Sequence, residues 1–181
     1  ATLATAYCLN SILNYPDKSI KFETKSGEIS VDYKDGKYHM DFPSRVPVKS
    51  DLPKLISKSL NLKPSEIYKS RDFLLIYNSE KEIKKIKINT RYFNKINLDP
   101  GGVVVTAKGT SSDFVSRYFT PQSTILEDPA TGSSHCSLIP FWSKRLNKTH
   151  LTSIQLSKRI GEFECINHSK RVTVIGSAVN Y

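Results

Sequence analysis

Ile125-Leu-Glu-Asp-Pro-Ala-Thr-Gly-Ser-Ser-His-Cys-Ser-Leu-Ile-Pro-Phe-Trp142 is a polar, glycine-containing turn running straight into an apolar segment. Pro129 bars early helix formation, because it lacks an N–H and restricts the residue before it. Thr131-Gly132-Ser133 then opens a helix, with Gly132 expected to permit a strained turn. The N–H groups of Gly132, Ser133 and Ser134 fall in the first turn, where no intrahelical acceptor exists and the helix dipole is positive. Such a place suits a carboxylate or phosphate. Asp128 sits just outside it, where it could take a cationic amine or a hydroxyl of the same ligand. The helix that follows carries Cys136, Leu138, Ile139, Phe141 and Trp142 on most of its faces and is therefore expected to be buried. Pro140 lies inside it and should leave a kink or one missing backbone bond. An ordinary capped helix preceded by an aspartate fits the same residues.

Outward from this stretch the chain alternates short strands and helices. Residues 1–13 read as a helix ended by Tyr15-Pro16, with Ala1, Ala4 and Ala6 suited to tight packing on a sheet. Nothing before Ala1 caps that helix, which suggests that a segment precedes it. Three alternating strands follow over 19–24, 28–33 and 37–42, the last two joined by Asp35-Gly36, a strong hairpin signal. Pro43, Pro47 and Pro53 mark an exit, with a boundary near residues 43–50. Residues 51–60 read as a helix capped by Ser50 or Asp51. A buried strand spans 72–77, mostly helical structure 79–96, and a second buried strand 103–107. Asp113–Phe119 alternates and should be half-buried. Three strands, near 152–157, 162–166 and 171–176, close the reading.

Composition excludes several classes. The 181 residues are 38% hydrophobic and 24% charged, enough to build a core. No run approaches the ~18 apolar residues of a membrane span, so a membrane protein is not expected. Collagen, coiled coil and disorder fail as well, because apolar segments are frequent, short and strand-like. Cys8, Cys136 and Cys165 are odd in number and lack close C-x-x-C spacing, which argues against a disulfide scaffold and for a reducing, cytoplasmic setting. His135 with Cys136, and Cys165 with His168, do not have the spacing of a zinc site. His135 reads as a helix residue near the ligand turn, and His39 and His150 as surface or strand positions. The excess of 27 Lys+Arg over 17 Asp+Glu, a formal charge of +10, admits a basic nucleic-acid binder as a third reading. The lysines are spread along the chain, however, and no basic stripe interleaved with aromatics supports it.

Residues 127–138, Glu-Asp-Pro-Ala-Thr-Gly-Ser-Ser-His-Cys-Ser-Leu, closely resemble the signature of the PhzF-like phenazine-biosynthesis isomerase family, which shares the diaminopimelate-epimerase fold. Four more segments agree in order and spacing: Ala1-Thr-Leu-Ala-Thr-Ala6, Met40-Asp-Phe-Pro43, Ser70-Arg-Asp-Phe-Leu74, and Gly102-Val-Val-Val-Thr-Ala107 followed by Asp113–Phe119. The resemblance implies an α+β fold of two similar halves, each a mixed sheet wrapped around a central buried helix, with the active site in the cleft between them. The two helices would be the one from Ala1 and the one from Ser133, both aiming their N-termini at the cleft. Residues 1–46 would be the remainder of the N-terminal domain, its first strands absent. Residues 47–181 would form the C-terminal domain, the last strand returning towards the first. A Gly-His pair and the main catalytic Glu would fall upstream of Ala1.

The resemblance further implies a cofactor-independent isomerase that moves a proton within a small carboxylate-bearing metabolite, with no metal, acting as a homodimer. Carried over by position, Asp128 would hold a polar group of the substrate and assist proton handling. Gly132 and Ser133 would bind the carboxylate, and Thr131 would shape the turn. Asp72 would line the cleft, although a strand-initiating surface aspartate fits equally well. The related epimerases use two cysteines, one in the helix-start turn. Here Pro129-Ala130 stands in that place and Cys136 lies a turn or more inside the helix, so a two-thiol mechanism is disfavoured. A carboxylate-binding protein without turnover is the alternative. If the +10 charge is a solvated surface, duplex DNA should bind weakly and release steeply as salt rises. Sub-micromolar, sequence-selective binding at physiological salt, measured by fluorescence anisotropy, would overturn the enzyme reading.

Overall fold

Asp35 and Gly36 both take left-handed backbone angles, φ 51° and 76°, as a two-residue primed hairpin turn requires. In the computed structural model, which describes residues 2–98, 101–121 and 123–178, this turn joins β2 (Gly27–Lys34) to β3 (Lys37–Pro43). Before them come α1 (Thr2–Tyr7), which continues as a π-helical turn over Cys8–Ile12, and β1 (Ser19–Thr24). After them come β4 (Val48–Lys49), α2 (Lys54–Ser59), β5 (Glu66–Lys69) and β6 (Phe73–Ile76). Next are α3 (Glu80–Lys85), α4 (Thr90–Phe93), β7 (Val103–Lys108), β8 (Phe114–Phe119) and the short β9 (Glu127–Asp128). A 3₁₀ turn, Gly132–Ser134, leads into α5 (His135–Leu146), followed by β10 (His150–Gln155), β11 (Gly161–Asn167) and β12 (Arg171–Gly176).

The fold is α+β, with few helices and one large mixed sheet. Among the described residues the strands run β1-β2-β3-β12-β11-β10-β8-β7-β6-β5-β4, and β9 pairs with β8 off this path. The β8–β10 and β6–β7 pairs are parallel and the others antiparallel. Strand β12 enters the middle of the sheet, with Val172 opposite Phe42 on β3 and opposite Asn167 on β11.

Two apolar clusters explain the sequence pattern. One gathers Cys136, Leu138, Ile139, Phe141 and Trp142 of α5 with Val31, Met40, Leu74, Val104, Phe114 and Val174 from the sheet. The other gathers Ile56, Ile83 and Phe93 of α2–α4 against Phe73, Leu75, Val103, Val105, Val115 and Phe119. Strands β6, β7 and β8 contribute alternate residues to both clusters, so they are covered on both faces and read as continuous apolar runs. This corrects the half-buried expectation for 113–119: five of the six residues of β8 are buried. Each fully buried Leu, Ile or Phe here stabilises by about 1.5–3 kcal/mol.

Three local expectations are also corrected. Helix α2 begins at Lys54 and its N-cap position is Pro53, with no side-chain cap, so neither Ser50 nor Asp51 caps it. Proline disfavours helical angles at the preceding Leu52, which stops the helix from starting earlier. In α1 only Ala6 is buried; Ala4 is exposed and Ala1 lies outside the described residues. Residues 79–96 form two short helices divided by an isolated bridge between Leu60 and Ile88.

Pro140 is accommodated within α5 by a loop. Without an N–H at 140, the Cys136 carbonyl loses its ordinary helical donor. The backbone N–H of Arg45, just after β3, donates to that carbonyl at 2.8 Å. A buried carbonyl left without a partner costs about 1–3 kcal/mol, so this bond fastens the 44–47 segment to the helix. The Arg45 amide should therefore exchange with deuterium as slowly as amides inside α5, although it lies in a loop. Exchange as fast as that of an open loop amide, measured by NMR, would show that the bond does not form.

Candidate active site

The turn Asp128–Ser134 is held in shape from below by β10. Along that strand Leu151, Ser153 and Gln155 face α5, two of them polar at positions where the alternation calls for apolar residues. Gln155 is fully buried. Its amide Nε2–H donates to the Asp128 carbonyl at 2.6 Å and to Thr131 Oγ1 at 3.2 Å, while its Oε1 accepts the Thr131 N–H at 2.8 Å. The Ser157 hydroxyl donates to the Pro129 carbonyl at 2.7 Å. Thr131, 5% exposed, donates its hydroxyl to Asp128 Oδ2 at 2.7 Å. Asp128 is half-buried and caps no helix N–H; neither Thr131 nor Ser134 makes a side-chain cap. The reading of Asp128 as an ordinary cap is therefore not what the structure shows.

Beneath the turn runs a buried polar string. His135 is wholly buried; its Nδ1 lies 2.9 Å from the Thr131 carbonyl and its Nε2 2.8 Å from Ser153 Oγ. Burial pushes the imidazole down to about 4, against a weaker upward pull from the Thr131 carbonyl. It is neutral at pH 7, and since a carbonyl can only accept, the proton is assigned to Nδ1. Nε2 then accepts from Ser153, whose oxygen faces Cys165 Sγ at 3.9 Å. Burial pushes the Cys165 thiol up to about 12, with the Ser153 contact partly opposing, so it stays protonated. His135 thus lies under the turn as a buried prop at the start of α5.

A second network reaches the turn from the start of β6. The Asp72 carboxylate is 2% exposed and collects donors from three elements: Arg71, the Gly102 N–H at 2.9 Å and the Tyr118 hydroxyl at 3.0 Å. Arg71 approaches side-on, Nε to Oδ1 at 3.3 Å and Nη2 to Oδ2 at 2.9 Å, and also donates from Nη2 to Ser133 Oγ at 3.1 Å. Burial works against the guanidinium's charge, yet the Asp72 hydrogen bonds and charge outweigh it and raise its pKa. Gly102 is required by this packing: a Cβ there would stand 2.6 Å from the Tyr118 ring and hydroxyl.

Asp128, Thr131, Gly132 and Ser133 are thus brought together, and Asp72 joins them only through Arg71. Asp72 is not a surface residue, and its carboxylate is committed to protein donors. Gly132 corrects the expected strained turn: it is not among the described glycines of positive φ, and a Cβ would meet nothing within 4 Å. Its Cα faces open space. Arg71 and Gln155 had no role in the sequence reading; the polar residues on the inward phase of β10 were the available signal. Cys136 is buried and its thiol is pushed up by that burial, partly offset by Arg45 and Arg71, so it is a core residue. Among the described residues no three His, Cys, Asp or Glu side chains converge as metal ligands, and no helix is long and apolar enough to cross a membrane.

Two clefts of about 690 and 520 Å³ open elsewhere, between the Ser111–Ser112 loop and β10–β12. Lys37 pairs there with Glu164 and Lys148 with Asp113, and Glu162 also lines the first of them.

Comparison with known proteins bears on the Asp128–Ser134 segment. Residues 1–181 match the PhzC-PhzF family, described as "Phenazine biosynthesis-like protein". An "uncharacterized isomerase" of Pseudomonas aeruginosa is 38% identical over 180 residues, spanning 99% of this chain and 68% of that protein. The mouse "phenazine biosynthesis-like domain-containing protein 1" is 31% identical, over 99% of this chain and 69% of its own length. The crystal structure of a PhzF-family protein of Enterococcus faecalis superposes with a TM-score of 0.88 at 38% identity, covering 98% of this chain and 68% of that one.

The buried imidazole has a consequence for stability. His135 is held to about 4 against an ordinary 6.5, so the unfolded chain takes up its proton first as pH falls. Its contribution is intact above pH 6.5 and is lost progressively down to about 4, at about 1.4 kcal/mol per pH unit. Urea unfolding should lose about 2 kcal/mol from this group between pH 6.5 and pH 5. An imidazole that titrates near its ordinary value in the folded protein, followed by NMR, would contradict this.

Proposed function

The chain belongs to the PhzC-PhzF, phenazine biosynthesis-like, family, and we propose that it carries the carboxylate-binding side of a cofactor-independent isomerase that moves a proton within a small carboxylate-bearing metabolite. The observation that carries this reading is the set of donors at the Thr131–Ser134 turn. The N–H groups of Gly132 and Ser133 start a helix and have no backbone acceptor among the described residues. Arg71 can only donate, so Ser133 Oγ accepts from it and keeps its own proton free for a ligand oxygen. Donors alone, over an open Gly132, suit a carboxylate.

Asp128 stands three residues before the buried Thr131, with Oδ2 held by the Thr131 hydroxyl and Oδ1 without a partner among the described residues. In the proposed reaction one C–H bond breaks, its electron pair delocalises towards the bound carboxylate, and a new C–H bond forms at another carbon. Positioning and the fixed donors lower the barrier to that charge shift. Asp128 holds a polar group of the substrate and assists the proton's movement; the family resemblance assigns the principal acid–base carboxylate to a residue outside 1–181. On the same reading residues 1–46 and 47–181 belong to two halves facing a common cleft, and the protein works as a cytoplasmic homodimer.

The test is proton movement in D₂O. The purified full-length protein is incubated with a panel of small unsaturated carboxylic acids, and NMR follows double-bond migration or deuterium uptake. Turnover by the unaltered protein, reduced at least about a hundredfold in Asp128→Ala with little change in melting temperature, is expected. Carboxylate binding without any turnover would favour the non-catalytic alternative. Lost stability with unaltered ligand affinity in Asp128→Ala would mean that the residue serves the turn alone.

A further inference from the structure

We propose that Arg71 is the specificity-determining contact of this site: a guanidinium locked edge-on by Asp72 so that its remaining edge reads the charge of the substrate's carboxylate. This rests on the proposed carboxylate site at Gly132–Ser133. The argument begins with the guanidinium's five N–H groups, which lie in a fixed plane and fork. Asp72 occupies the side formed by Nε and one hydrogen of Nη2, and Ser133 Oγ takes a bond from Nη2. Nη1 has no protein partner among the described residues, and the side chain is 25% exposed. Two donors therefore remain, both on Nη1, and one of them points alongside the Nη2 hydrogen that Ser133 Oγ accepts.

The lock matters as much as the edge. A free arginine has many rotamers to lose on binding, whereas this one is already fixed. Its fixing point is itself immobile, because Asp72 also accepts the Gly102 N–H at the start of β7 and the Tyr118 hydroxyl on β8. Arg71 is thus tied to three neighbouring strands and the ligand turn at once. Asp72 acts as a positioning residue through Arg71, and Ser133 is held with its hydroxyl proton turned away from the guanidinium. A carboxylate meeting this edge gains a charge-assisted bond that a neutral amide of the same shape cannot match. A lysine would keep the charge and lose the fork.

Benzoate and benzamide serve as charged and neutral probes of one shape, titrated into the ¹⁵N-labelled protein while the Gly132 and Ser133 amides are followed. Benzoate should shift both amides and bind at least tenfold tighter than benzamide. Arg71→Gln should lose at least tenfold in benzoate affinity and abolish the preference over benzamide, and Arg71→Lys should recover part of both. If Arg71→Gln fails to fold, Arg71→Lys decides alone: a benzoate loss above threefold supports the proposal and a smaller one overturns it. Unchanged benzoate affinity in a folded Arg71→Gln protein overturns the role of Arg71 and leaves the carboxylate site standing. Benzoate that fails to shift the Gly132 and Ser133 amides of the unaltered protein overturns both.

Discussion

The buried carboxylate of Asp72 is the constraint on which the neighbourhood of the site depends. Taking an ionised carboxylate out of water costs several kcal/mol unless its lone pairs are filled, and here a guanidinium, a backbone N–H and a phenol fill them. Those donors come from the segment before β6, the start of β7 and the end of β8. The requirement to satisfy one charge therefore fixes the relative placement of three strands. It also dictates Gly102, since the Tyr118 hydroxyl reaches Asp72 only across a backbone that has no Cβ.

The same economy governs α5. Its apolar faces fill the larger cluster, with Trp142 stacked on Phe114 at 5.8 Å and its Nε1–H donating to Thr106 Oγ1 at 3.0 Å. Its N-terminus meanwhile ends in the turn that His135, Ser153 and Gln155 support from inside. Most polar atoms under the turn are used in holding it, and the few left over face outward. Rigidity and recognition are divided between the two sides of one short segment.

Much of this architecture is legible in the sequence because local chemistry determines it. The β2–β3 hairpin follows from Asp35-Gly36, and β6, β7 and α5 follow from apolar runs bounded by turn residues. The segment 128–134 is legible as a ligand turn for similar reasons, since proline, glycine and serine at a helix start leave free N–H groups. What is not legible depends on partners far away in the chain. Asp72 reads as a surface or a cleft residue until Gly102 and Tyr118, 30 and 46 residues on, are seen to bond it. Short polar strands such as β5 and β9 exist because a neighbouring strand offers its edge, and their own sequence gives little sign of it. Gly132 looks like a conformational need and proves to be a matter of space.

The central position of β12 bears on how the molecule is made. Residues 171–176 pair on one side with β3 and on the other with β11, although both partners are synthesised earlier. Without β12, nothing among the described strands joins β1–β3 to β11, and the large cluster lacks Val172 and Val174. Two open strand edges, on β3 and β11, stay unpaired until it is in place. Such edges are where nascent chains associate wrongly. The joining of β3 to β11 through β12 is thus a long-range pairing, of the kind that slows folding.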